Sequence, residues 1–77
     1  MRSQGGHREM MAAALAGARA EEAAARRLSA EAERMWRATD HDADREAFRA
    51  AHRRWTEAVS ELVEIEAELA ESGPIAA

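Results

Sequence analysis

The chain has 77 residues, a net charge of −4 and no cysteine, which limits it to one domain and excludes disulfides and thiolate metal sites. Its eleven basic residues are all Arg and Ala is abundant, a usage read first as GC-rich, actinobacterial-like genome composition and only second as a functional choice. A net negative chain lacks the general basic surface that displaces counterions from nucleic acid, and no apolar run approaches the ~18 residues that span a bilayer.

Met1 to Gly6 is polar, carries paired glycines and is expected to be flexible. From about residue 8 to residue 38 the sequence is Ala, Glu, Arg, Leu and Met with one Gly and no Pro, which predicts a long helix. Ala18-Arg19-Ala20 has the small-x-small form of a signal-peptidase site. The preceding apolar run, however, is Ala-dominated and broken by Gly17, so the segment is read as the start of a helix. Thr39-Asp40-His41-Asp42 is a turn, with Thr39 and Asp42 at capping-box spacing. A second helix is predicted over about 43–71. Gly73 and Pro74 end it, and residues 73–77 are expected to be a flexible tail.

The second helix has the clearest pattern. Phe48, Trp55, Leu62 and Leu69 recur every seven residues, with Ala51, Ala58 and Ile65 between them. That alternation places all seven on one stripe, the signature of a helix that docks on another helix. Glu46, Glu57, Glu61, Glu64, Glu68 and Glu71 fall on the opposite side. Residues 1–39 carry a net +2 and residues 40–77 a net −6, so the two halves favour lying side by side.

Two long helices joined by a short turn fold back antiparallel. The fold class predicted is therefore an all-α two-helix hairpin. With the turn centred near His41 and Asp42, Met35 is expected to face Phe48, Leu28 to face Trp55, Glu21 to face Leu62 and Ala14 to face Leu69. Ala32–Ala51, Ala25–Ala58 and Ala18–Ile65 lie between these layers. Bulky layers alternate with small ones, so a lone hairpin leaves large side chains half exposed, at on the order of 1 kcal/mol each. A second hairpin closing a four-helix bundle would cover them, so a homodimer is expected. The expected interface is Leu28, Met35, Trp36, Phe48, Trp55, Val59, Leu62, Ile65 and Leu69. Rop-type dimers of helical hairpins are similar in architecture.

Candidate polar sites are few. Glu21 in the apolar stripe of the first helix needs a partner or a route to the edge. Arg19, Arg26 and Arg37, with Arg8, form a ridge around the first helix; such a ridge suits an acidic partner or an RNA backbone. Glu22–Arg26 and Glu33–Arg37 pairing gives it a purely structural account. The Asp40–Asp44 cluster lacks the glycine and glutamate of a calcium loop and is read as helix capping. His7, His41 and His52 share no ligand spacing, and Ser29 and Ser60 have no nucleophile context. No cofactor, metal site or enzymatic activity is expected.

Trp36 before the turn, Glu46-Ala47-Phe48, then Trp55 and Leu62 at seven-residue steps resemble the central part of the WXG100 (ESAT-6-like) family over about residues 35–69. The family's Trp-x-Gly reads Trp36-Arg37-Ala38 here, and no Tyr is present for its C-terminal export motif. The resemblance implies a helical hairpin that pairs into a four-helix bundle and is exported by type VII secretion. The residues alone point to a non-catalytic adaptor, regulator or small accessory subunit in the cytoplasm, binding itself or a larger protein. An exported WXG100-like protein and a Rop-like RNA binder are the alternatives.

Overall fold

The computed structural model describes residues 2–71, with side chains from Gly6 onward. It is a two-helix antiparallel hairpin: α1 runs Arg2–Thr39 and α2 runs Asp42–Glu71. Only Asp40 and His41 lie between them. The rod is 57 Å long and about 16 Å by 14 Å across. Among the described residues there is no strand, and no helix is long and apolar enough to cross a membrane.

α1 begins at Arg2 rather than near residue 8, so the paired glycines are helical. Helix propagation adds a hydrogen bond for each residue fixed, and no proline interrupts this end. The expected stop at Gly73 and Pro74 and the tail at 73–77 lie outside the described residues.

The turn is tighter than a capping box at Thr39 and Asp42 would make it. Asp40 adopts φ 55°, and its N–H donates to the Trp36 carbonyl at 2.7 Å, the left-handed ending of a helix. The His41 carbonyl accepts the Arg45 N–H at 3.0 Å, so the cap of α2 is His41. Asp42 and Asp44 occupy its first turn, where carboxylates offset the positive end of the helix dipole. The Thr39 hydroxyl donates to the Asp44 carboxylate, not to Asp42. It also accepts the His41 N–H at 3.3 Å. One threonine thus ties the end of α1 to the start of α2.

The stripe of α2 faces α1 as its spacing requires. Phe48, Ala51, Trp55, Ala58, Leu62, Ile65 and Leu69 are all buried or half-buried, while the six glutamates of the opposite side are exposed. The alanine layers also sit as expected: Ala18 and Ala25 of α1 and Ala58 of α2 are the buried apolar residues among those described.

The remaining layers of α1 are corrected by one residue. Leu15, Glu22, Ser29 and Trp36 turn inward. Ala14, Glu21, Leu28 and Met35 turn out, with Leu28 54 % and Met35 55 % exposed. Met35 therefore does not meet Phe48; Trp36 does, with ring centroids 5.7 Å apart and planes 16° from parallel. Leu28 likewise turns away from α2, and its neighbour Ser29 is the buried residue at that level of α1. Glu21 is exposed, and the inward carboxylate is Glu22.

Candidate interaction surface

The contacts between α1 and α2 separate the hairpin into two broad faces of different chemistry. On one face an aromatic run crosses from helix to helix. Trp36 stacks on Phe48, Phe48 meets His52 with centroids 5.8 Å apart, and His52 meets Trp55 edge-on at 5.6 Å. These rings stand on one ridge of α2 because 48, 52 and 55 are spaced by four and three. The run ends in a polar bond: the Trp55 Nε1–H donates to the Glu22 carboxylate at 2.8 Å. The Glu22 side chain is only 16 % exposed, and Arg26 approaches the same oxygen at 3.9 Å. This is how the hairpin accommodates a carboxylate in an apolar layer: an indole N–H and a guanidinium replace its lost water.

The same face carries Arg19 of α1 and Glu66 of α2, which approach across the interface at 3.9 Å. Val59 lies one heptad from both His52 and Glu66, and Val63 one turn further on. Both valines are exposed, Val63 by 56 %.

The opposite face has a floor of alanines. Ala24, Ala25 and Ala58 with Leu28, Glu21, Arg54 and Glu57 line an open groove of about 290 Å³. It exists because two small residues, Ala25 and Ala58, meet at the same level while the large side chains lean the other way. Leu28 forms its one large apolar wall.

The sequence-nominated residues divide accordingly. Phe48, Trp55, Leu62, Ile65, Leu69 and Trp36 are half-buried within the hairpin; Leu28, Met35 and Val59 are exposed on its surface. The residues that carry the WXG100 resemblance, Trp36, Phe48, Trp55 and Leu62, all belong to the hairpin's own core. On the arginine ridge each of the three nominated residues has a carboxylate: Arg19 has Glu66, Arg26 has Glu22, and Arg37 has Glu33 at 3.0 Å. Glu22, Ser29, His52 and Val63 are the residues that periodicity does not single out. Glu22 was visible only as the partner of Arg26. Val63 lies four residues from Val59, outside the core stripe.

Among the described residues no group of His, Cys, Asp or Glu is arranged to hold a metal ion, and no buried side-chain nitrogen or oxygen lacks a hydrogen-bond partner. Neither a protein-family model, nor a curated protein, nor a solved structure matches this chain.

Proposed function

We propose that this chain is a non-catalytic helical-hairpin interaction module, an adaptor, regulator or accessory subunit, that associates with itself or docks on a larger protein. The observation that carries this reading is the core. Among the described residues the buried apolar ones are three alanines, no large side chain is fully buried, and Met10, Leu28, Met35 and Val63 are each more than half exposed. Alanine burial yields little hydrophobic stabilisation, while each half-exposed Trp, Phe or Leu forgoes on the order of 1 kcal/mol. Cover from another protein recovers it. An RNA-binding use of the arginine ridge has less support, because Arg19, Arg26 and Arg37 are matched by carboxylates and the face opposite is acidic.

The test is sedimentation equilibrium together with thermal melting over a hundredfold range of concentration. A self-associating module shows an oligomer at tens of micromolar and a melting temperature that rises with concentration, as linkage demands. A monomer that melts cooperatively at a concentration-independent temperature above about 60 °C, at the upper end for mesophilic domains, would refute the need for a partner.

A further inference from the structure

The alanine-floored groove gathers both exposed apolar surface and most of the acidic charge of the rod. Glu57 lines it, and steps of four and three from Glu57 place Glu61, Glu64, Glu68 and Glu71 along the same edge of α2. From Trp55 to Glu71 this helix has no basic residue, so none offsets the negative end of its dipole. On the α1 side Leu28 lines the groove. Steps of seven and four from it place Met35, Ala24, Glu21 and Gly17 on one outward line. Leu28 and Met35 are each more than half exposed. The same counting adds the carboxylates of Glu31 and Glu46 to this face, and the guanidiniums of Arg53, Arg54 and, at its outer edge, Arg27. Carboxylates outnumber guanidiniums there by more than two to one. The reverse face holds Arg19, Arg26, Arg37 and Arg49 against Glu22, Glu33 and Glu66 and has no such excess.

We propose that this groove seats a basic amphipathic helix of another protein. This rests on the interaction-module reading and names the surface and the chemistry of the partner. Large apolar side chains of the incoming helix lie against Leu28 and Met35 and over Ala24, Ala25 and Ala58, where small residues leave the groove open. Its cationic residues lie over the Glu57–Glu71 edge, a run of about 21 Å at 1.5 Å per residue. Arg54 borders the groove beside Leu28, so the cationic residues belong toward the end of the rod away from the turn, and the apolar ones toward the turn. A helix is the form that fits, because the outward line on α1 repeats every seven residues, the spacing a second helix matches. Charge decides the sign of the partner. Glutamates at spacings of three and four repel one another; lysines or arginines laid over them offset that repulsion, and the same acidic face of a second copy would add to it.

The test titrates the full chain with two fluorescent synthetic peptides and reads anisotropy. One is an amphipathic helix of about five turns with a leucine stripe and lysines on its polar face; the other carries glutamates in place of the lysines. The lysine peptide should bind at tens of micromolar or tighter and the glutamate peptide at least about tenfold more weakly, and added salt should weaken the lysine peptide. Leu28→Gln/Met35→Gln and Glu61→Gln/Glu64→Gln should each weaken the lysine peptide by about tenfold. Val59→Gln/Val63→Gln, on the reverse face, should leave it unchanged. All these positions are exposed and Gln is a good helix former, so the variants keep the hairpin, which circular dichroism checks. Equal binding of the two peptides, parental affinity in either groove variant, or a loss in the valine variant overturns the groove as the site. A parental dimer that the Leu28/Met35 variant loses, seen by sedimentation equilibrium, gives the groove to a second copy and overturns the foreign helix. Absence of peptide binding at hundreds of micromolar overturns this site alone, because the interaction-module reading is decided separately by concentration-dependent melting.

Discussion

Glu22 shows how a single polar residue settles the packing of a rod whose core is mostly alanine. Its carboxylate accepts the Trp55 indole at 2.8 Å and faces Arg26 at 3.9 Å, so the largest side chain of α2 is held by a polar bond rather than by a deep pocket. Glu22→Ala leaves the indole N–H without that acceptor and removes the partner of Arg26. The indole is only half-buried, so the loss is about 1 kcal/mol rather than the 1–3 kcal/mol of a fully buried orphan. In a domain of this size that lowers the melting temperature by roughly 4–8 °C. Glu22→Gln keeps an acceptor oxygen and should lose less than half as much. Melting followed by circular dichroism, with the indole N–H proton resonance as a local probe, separates the two. Equal losses in both variants would mean that the Arg26 pairing, not the indole bond, carries the effect. The cross-helix pair of Arg19 and Glu66 is looser and largely exposed, so Arg19→Gln should shift melting by no more than about 0.5 kcal/mol.

The two helices were not equally legible. All seven stripe positions of α2 are apolar, so only one register presents an apolar face, and the structure adopts it. α1 offers two. Its alanines at 18, 25 and 32 can be flanked by Ala14, Glu21, Leu28 and Met35, or by Leu15, Glu22, Ser29 and Trp36. Each set holds one glutamate and two large apolar residues, so periodicity does not choose between them. What chooses is tertiary: the Trp36–Phe48 stack and the Glu22–Trp55 bond exist only in the second. The same limit explains why the inward carboxylate is Glu22 and not Glu21. Two element-scale predictions follow from backbone geometry. Gly17 is helical with φ in the ordinary region, and a Cβ there meets nothing within 4 Å. Gly17→Ala should therefore stabilise α1 by about 0.5–1 kcal/mol. Asp40 holds φ 55°, where glycine is unstrained, so Asp40→Gly should be neutral to stabilising, while Asp40→Val should cost about 1–2 kcal/mol. Urea unfolding at fixed protein concentration measures all three. A destabilised Gly17→Ala would show that this position lies against something other than solvent.

At the scale of the whole molecule no large side chain among the described residues is fully buried, and the stability is spread along the 30 residues of α2 that lie against α1. Each layer touches only its neighbours, so the effect of a substitution depends on how many layers it joins. Trp55 joins several: it makes the edge contact to His52 and donates its indole N–H to the Glu22 carboxylate of α1. Truncating a fully buried Trp costs 3–5 kcal/mol; a half-buried one at the centre of this rod should cost about 3 kcal/mol. Small single-core domains rarely have more than 3–5 kcal/mol in total, so Trp55→Ala should abolish cooperative melting at micromolar concentration and leave residual, non-cooperative helix. Trp36 is as large but sits beside the turn, where the bond from the Thr39 hydroxyl to Asp44 ties the two helices independently of its indole. Trp36→Ala should therefore remain folded, with a loss of roughly 2 kcal/mol, in line with incomplete burial near a helix end. Circular dichroism melts at matched concentrations decide the order. If Trp36→Ala proves the more damaging, the turn-proximal aromatic stack organises the hairpin, and the Glu22–Trp55 centre is secondary to it.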